Sequence, residues 1–200
     1  MLRRLLRLLY KYRGIKDFRF FTDIILKSRL YAAPYFDLND PMEGKYLYSQ
    51  SGGSLDEDMR RLLKGEKEKL RICALSRDPN NELMWSHYSE GHRGVVVGIE
   101  IDRAKYEVRA IEYDGLHRVG LDNFHNGSAI DVLSHKLDVW QYEEEERVFT
   151  KGKHFVDVSV HKIICGSRMS TQDKGFITEL VEKLDPQIEI INARTDSAYV

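Results

Sequence analysis

Alternating and clustered apolar positions divide the chain into short elements. The run Leu8-Leu9-Tyr10-Lys11-Tyr12-Arg13, closed by Gly14, has the length and composition of a strand that ends in a turn. From Asp17 to Ser28 the residues Phe18, Phe21, Ile24 and Ile25 recur at helical spacing, which predicts an amphipathic helix with those four facing inward. Arg29 to Ala33 reads as a second short strand ended by Pro34. Asp37-Leu38-Asn39-Asp40-Pro41 is rich in residues that turn the chain through side-chain to backbone hydrogen bonds. After a polar, Gly-containing loop over 49–54, Leu55 to Leu70 predicts a highly charged helix. Its Asp56/Arg60 and Glu57/Arg61 pairs at i,i+4 spacing are expected on a solvated face.

Farther along, Leu70 to Leu75 is a strand, Glu82 to Ser89 a short helix carrying Met84, Trp85 and Tyr88, and Gly94 to Ile99 a buried strand. Val108 to Tyr113 predicts another strand, and Ser128 to Leu137 a helix leading to Trp140. Arg147 to Thr150 and Phe155 to Val160 look like the arms of a hairpin around Lys151-Gly152-Lys153. The end is the most regular part: strand Lys162 to Cys165, a helix Thr171 to Leu184 capped at Ser170/Thr171, and strand Gln187 to Ile191. Together these make a βαβ unit for which a right-handed crossover is expected. The elements imply an α+β fold with mixed, mostly antiparallel central sheets flanked by helices. No repeat or linker interrupts the chain, so residues 1–200 are expected to form a single domain.

Composition narrows the class. With 42% hydrophobic and 32% charged residues, 200 residues suffice for one core. Thirty-one basic residues against 32 acidic ones leave a net charge of −1, so no global field draws the chain to nucleic acid or an anionic membrane. Cys73 and Cys165 sit among apolar strand residues and read as buried thiols, which points to a reducing, cytoplasmic setting. No apolar stretch approaches the roughly 20 residues needed to span a bilayer. Leu2, Leu5, Leu6 and Leu9 face one way and Arg3, Arg4 and Arg7 the other, giving a basic amphipathic arm over 1–9. Such an arm packs on the domain or docks on a membrane or partner.

The candidate chemistry centres on Trp140 to Arg147, WQYEEEER. Glu143 and Glu145, two apart on an expected strand, project from one face with backbones roughly 6.6 Å apart, and Arg147 joins them. Neighbouring carboxylates raise one another's proton affinity and a guanidinium lowers it, a set that can be tuned as base and electrostatic stabiliser. The same spacing also fits a solvated acidic turn. Trp85-Ser86-His87-Tyr88 gathers two aromatics and a histidine in one helical turn after the strand-ending Ser76. They form either core or a stacking wall for a flat heterocycle, with Ser76 supplying a hydrogen bond. Arg13, before Gly14, has the fork to bind a phosphate, and a structural ion pair is equally open to it. The seven histidines are scattered, and His87 and His92 are five apart, wrong for one helix face, so no metal site is expected. P-loop, G-x-G-x-x-G and G-x-S-x-G patterns are absent.

Four segments, Leu9 to Arg13, Asp37 to Glu43, Leu83 to Tyr88 with His92-Arg93-Gly94, and Trp140 to Arg147, closely resemble in order and spacing the bacterial domain-of-unknown-function family 2971. The tail Ile163-Ile164-Cys165-Gly166, followed by a helix and a strand, resembles it too. A more distant resemblance is to ADP-ribosyltransferases. Those enzymes place an arginine or histidine on a first core strand, a serine on a later strand followed by an aromatic-bearing helix, and Glu-x-Glu before a late strand; Arg13, Ser76 and Glu143-x-Glu145 occur here in that order. The resemblance implies an ADP-ribosyltransferase-like fold and an NAD-dependent mono-ADP-ribosyltransferase, a toxin or phage-defence effector, acting on a protein or nucleic-acid acceptor. Glu145 would stabilise positive charge on the ribose, Glu143 would orient or deprotonate the acceptor, and Arg13 would hold the pyrophosphate. Ser76 would support the ribose strand, and Tyr88 or Trp85 would face nicotinamide, with His87 and Arg147 beside them. Arg77 and Asp78 stand where the family's Ser-Thr-Ser triplet would continue, and four consecutive glutamates, 143–146, leave the register open.

Two other functions fit the same residues. Asp40, Glu43, Glu143 and Glu145 could surround Mg²⁺ in a nuclease or phosphodiesterase. Alternatively, the aromatic cleft around Trp85 could bind a nucleotide or peptide without catalysis, as a sensor domain.

Overall fold

The computed structural model describes residues 7–49 and 54–193. Its strands are β1 (Leu9–Arg13), β2 (Arg29–Tyr31), β3 (Leu47–Tyr48), β4 (Leu70–Ser76), β5 (Val95–Glu100), β6 (Glu107–Ala110), β7 (Arg118–Val119), β8 (Glu145–Lys151), β9 (Phe155–Asp157), β10 (Ser159–Cys165) and β11 (Glu189–Asn192). The helices are α1 (Phe18–Lys27), α2 (Ser54–Lys69), α3 (Glu82–Tyr88), α4 (Ser128–Val132) and α5 (Thr171–Leu184), with 3₁₀ turns at Tyr35–Asp37 and Asp138–Glu143. Seven strands form one sheet in the order β11-β10-β5-β1-β4-β8-β6. Only β10 and β11 run parallel in it, so the fold is α+β with a mixed, mostly antiparallel central sheet.

The parallel pair is the predicted C-terminal βαβ unit. Ser170 caps α5 by accepting from the Asp173 amide at 3.0 Å, and Lys162 lies opposite Glu189 in the register. The hairpin expected around Lys151-Gly152-Lys153 does not form. A strand has two edges, and β8 already pairs with β4 on one and β6 on the other. Gly152 still turns the chain with a left-handed φ of 67°, but the return segment splits: β9 pairs with β2, and β10 with β5.

Alternation along the strands sorts the core into two layers. Leu9, Cys73, Leu75, Val95, Val97, Val148 and Ile163 face the side covered by α1 and α5, where Phe21, Ile24, Ile25, Ile177 and Val181 complete the largest apolar cluster. The opposite face carries two smaller clusters. One, around Leu63, Ile72, Leu133 and Phe149, lies under α2 and α4; the other, around Tyr12, Trp85, Val96 and Ile164, lies under α3. Between them, Ala74 pairs with Arg147 and Ser76 with Glu145. A cleft lined by these four residues occupies that gap.

Other expectations need correction. Leu9 is buried in β1 rather than part of a helical arm, and Arg7 reaches Glu146 at 2.6 Å, while residues 1–6 lie outside the described residues. The charged helix is not wholly solvated. Lys67 is buried, donating to the Gly44 carbonyl and lying over the Tyr35 and Tyr46 rings, and Asp56 accepts from the Tyr48 hydroxyl at 2.7 Å. The helix expected to reach Leu137 stops at Val132, because Ser134 and Lys136 bond instead to Glu112 of a neighbouring extended segment. Both cysteines are buried free thiols, and among the described residues no helix is long and apolar enough to cross a membrane.

Two glycines make opposite predictions. Gly65, inside α2, has open space around a notional Cβ, so Gly65→Ala should stabilise by about 0.5–1 kcal/mol through lost unfolded-state freedom. A Cβ on Gly94 would lie 2.1 Å from the Arg13 carbonyl oxygen, so Gly94→Ala should destabilise by about 1–3 kcal/mol. Thermal unfolding should show melting points moving in opposite directions, by about 2–4 °C per kcal/mol. Equal shifts would mean that the chain passes less closely at Gly94 than described.

Candidate functional site

The four consecutive glutamates go to four different environments. Glu143 ends the 3₁₀ turn before β8 and is 4% exposed. Glu144 adopts a left-handed φ of 42° and points to solvent beside Arg77. That kink breaks the strand expected to carry Glu143 and Glu145 together; Glu143 reaches the same place from the turn. Glu145 opens β8 on the α3 side of the sheet. Glu146, one residue on, points to the opposite face and pairs with Arg7 and Arg103. The acidic run is therefore not a solvated turn.

Arg147 anchors the arrangement. Its side chain has no solvent exposure, and all five N–H donors are used. Nε and Nη2 donate to the two Glu145 oxygens at 2.7 and 3.2 Å, and Nη1 and Nη2 to the two Glu43 oxygens at 2.8 and 2.5 Å. The remaining Nη1 donor meets the Leu133 carbonyl at 2.6 Å. Lys136 completes the set: Nζ donates to Glu143 at 2.6 Å and Glu145 at 3.0 Å, lies 3.7 Å from Glu43 and sits over the Trp140 ring. Tyr113 accepts from the Glu145 amide at 2.7 Å, and burial pushes its hydroxyl up to about 12.

The electrostatics follow from burial opposed by pairing. Burial disfavours the Glu145 carboxylate, yet Arg147 and Lys136 overcome it and hold the group down at about 2. Burial pushes Glu43 up against the pull of the same guanidinium. Lys136 and Arg147 are both driven above their ordinary values because the carboxylates outweigh the desolvation. Tyr88 donates to Glu143 at 2.6 Å and accepts from Asn39; burial and that carboxylate keep its hydroxyl protonated well above the usual range.

These groups line a cleft of about 230 Å³ whose walls also include Tyr10, Lys11, Tyr12, Asp37, Ser76 and Met84. Tyr10, Ser76 and Glu145 stand side by side across β1, β4 and β8. The charged side chains of the lining, Lys11, Lys136 and Arg147 against Asp37, Glu43, Glu143 and Glu145, leave one negative charge in excess. A shallower groove lined by Asn39, His87, Tyr88, Val139, Trp140 and Tyr142 shares Asn39 and Tyr88 with the cleft, so the two are continuous.

Of the residues singled out from the sequence, Ser76, Tyr88, Glu143, Glu145 and Arg147 converge in the cleft, and His87 lies in the adjoining groove. Two do not line either. Arg13 lies over the Phe20 ring, and burial lowers its basicity. Trp85 is core: it packs edge-on against Tyr12, stacks on His92 and donates to the Pro79 carbonyl. Ser76 itself is engaged, accepting from the Asp78 amide and donating to the Asp78 carbonyl at 3.1 Å. With Tyr12, which donates to the same carbonyl, it shapes the loop leading to Asn81. Asn81 caps α3 and reaches the Tyr142 carbonyl at 2.9 Å, which fixes the residue before Glu143.

Lys136 and Asn39 were not singled out by sequence reasoning. Lys136 lay in a segment expected to be helical, where a lysine reads as solvent-facing, and no spacing ties it to glutamates seven and nine residues on. Of the four acids considered for Mg²⁺, Asp40 is elsewhere, its carboxylate accepting from the Met42 amide. Glu43, Glu143 and Glu145 are together, but every carboxylate oxygen is already engaged by Lys136, Arg147 or, for one Glu143 oxygen, the Tyr88 hydroxyl, so this donor set does not fit a magnesium ion. No family model, curated protein or solved structure matches the chain.

Removing the guanidinium leaves two buried carboxylates with Lys136 alone between them, so Arg147→Met should destabilise by about 3–5 kcal/mol in urea unfolding. A cost below about 1 kcal/mol would show that Glu43 and Glu145 find water instead. The Glu145 carboxylate, held at about 2 rather than its ordinary 4.5, contributes stability that is complete above pH 4.5 and lost as pH falls toward 2. The stability gap between the parent and Glu145→Gln should accordingly narrow by on the order of 3 kcal/mol on acidification through that window. A constant gap would contradict the pairing.

Proposed function

We propose that the cleft is the NAD site of a mono-ADP-ribosyltransferase with an ADP-ribosyltransferase-like fold. The observation that carries this reading is the excess negative charge of a partly enclosed cleft in which one buried carboxylate, Glu143, is held on one oxygen only by the Tyr88 hydroxyl. Nicotinamide is cationic in NAD, and when its bond to ribose breaks, the electron pair leaves with it and positive charge moves to the ribose. A fixed surplus of carboxylate stabilises that charge without reorganising. The order of strands supports the reading as well: the first strand, the serine strand and the glutamate strand are neighbours in the sheet.

The volume is below the roughly 300 Å³ at which pockets for whole drug-sized ligands begin. The cleft therefore takes the nicotinamide-ribose end, and the rest of the dinucleotide runs along the groove, where Trp140 and Tyr142 offer faces for adenine. Glu145, with both oxygens engaged by cations, supplies field rather than proton transfer. Glu143 is the group for the acceptor: one oxygen is held by Lys136 and the other by the Tyr88 hydroxyl, which a ribose hydroxyl or incoming acceptor can displace. Arg13 is too remote to hold the pyrophosphate; Lys11 is the cation of β1 that lines the cleft.

Purified protein should release nicotinamide from NAD and transfer label to an acceptor in lysate. Glu143→Gln should lower turnover by about 10²–10⁴-fold with little change in NAD affinity, and Trp140→Ala should weaken binding about tenfold. A protein that neither binds NAD nor releases nicotinamide from it would overturn the proposal. A second reading draws on the saturation of Arg147 and the double pairing of Glu145: a nucleotide-binding domain without catalysis. It is distinguished by NAD binding with no nicotinamide released under any acceptor condition.

A further inference from the structure

Across the backbone from the buried cluster lies a second group of titratable side chains that the cleft does not use. Glu112 pairs with His135 in an isolated parallel bridge. Three backbone hydrogen bonds hold the two segments: Glu112 N to Ser134 O at 2.9 Å, Lys136 N to Glu112 O at 3.0 Å and Gly115 N to Lys136 O at 3.1 Å. Both segments alternate. Tyr113 and Lys136 turn in to Glu145, while Glu112, Asp114 and His135 turn out. The outer face is an open pocket lined also by His117, Asn123 and Asp131 and by two arginines, Arg118 and Arg109, the second of which pairs with Glu107.

Glu112, Asp114 and His135 each offer a ligand atom, all within 4.8 Å of one another. His135 Nδ1 is 2.7 Å from Asp114 Oδ1, and its other ring nitrogen, Nε2, is 2.9 Å from His117 Nδ1. The second contact sets this group apart from an ordinary surface cluster of acids. A ligating histidine has its unligated N–H held by an acceptor that fixes the tautomer and ring orientation, and His117 Nδ1 is placed to be that acceptor. The backbone of both ligand-bearing segments is pinned, so only the two carboxylates need to rotate.

We propose that Glu112, Asp114 and His135 bind a first-row transition-metal dication, with His117 as the positioning residue behind His135. One imidazole nitrogen with two carboxylate oxygens suits Zn²⁺, Mn²⁺ or Co²⁺ and not Mg²⁺ or Ca²⁺, which take all-oxygen sets. On binding, the ion displaces the hydrogen bond between His135 and Asp114. The single proton of the neutral His135 ring resides on Nε2 and is donated to His117 Nδ1, so that Nδ1 presents its lone pair to the ion, and the two ligand atoms separate to about 3.3 Å around bonds of about 2.1 Å. Two carboxylates neutralise the charge of the ion, and the open outer face leaves its other positions to water. The scatter of histidines along the sequence conceals this set because Glu112 and His135 meet only through the bridge.

Titration of the full chain with Co²⁺, followed by visible absorption, and with Zn²⁺, followed by calorimetry, tests the site. One equivalent should bind. Asp114→Asn, an exposed change, and His135→Ala should each weaken binding at least about 100-fold, and His117→Ala about 10- to 100-fold. His125→Ala, which removes the exposed partner of Asp131, should bind as the parent does. Melting temperatures of the metal-free variants report whether each still folds, and Asp114→Asn carries the test if His135→Ala does not. Absence of stoichiometric binding by the parent, or unchanged affinity in Asp114→Asn, overturns the assignment.

Discussion

A guanidinium with no access to water, on the second turn-in position of a central strand, is the constraint around which the rest of this protein is arranged. Desolvating an arginine costs several kcal/mol, and only complete pairing offsets it. Arg147 meets that condition by drawing on Glu145 from its own strand, Glu43 from the loop after the Tyr35 turn and the Leu133 carbonyl from the end of α4. Those partners lie in three separate stretches of chain. The guanidinium therefore ties these three stretches together over this face of the sheet.

The pairing carries forward into the cleft. Satisfying Arg147 brings a second carboxylate beside Glu145, and the added negative charge is then met by Lys136, which in turn engages Glu143. The order of attachment grades the carboxylates by freedom. Glu43 and Glu145 are bound by cations on both oxygens, whereas Glu143 gives one oxygen to Lys136 and the other to a neutral phenol. A buried carboxylate whose partner is an exchangeable hydroxyl is the group in this set best placed to meet a ligand. The two apolar clusters on either side exclude water and keep these interactions strong.

Backbone alternation lets so much charge coexist with a core. Glu145 and Glu146 are neighbours in sequence and lie on opposite faces of the sheet, each with its own cations. His135 and Lys136 divide in the same way between the outer pocket and the inner cluster. A one-residue slip of β8 against β4 would exchange Glu145 with Glu146 and Arg147 with Val148, so the ionic network also selects the register.

The local elements were legible in the sequence because their determinants are local. The periodicity of Phe21, Ile24 and Ile25 specifies the buried face of α1, Ser170 and Asp173 specify the start of α5, and glycine bounds the strand that follows α3. The convergence of Ser76, Tyr88, Glu143 and Glu145 was legible in outline from their types and order. Tertiary structure alone decided the partners. Strand edges are exclusive, so β8 could not take the nearby segment after Gly152 once β4 and β6 held it. Lys136 became an interior cation because its backbone pairs with Glu112, a residue 24 positions away. Arg13 went to the Phe20 ring, and Trp85 to Tyr12, His92 and the Pro79 carbonyl, partners that come from other segments of the chain. A side chain's chemistry is written in its residue type, but whether that chemistry faces a ligand, a counter-ion or a ring depends on chain segments brought together only when the sheet closes.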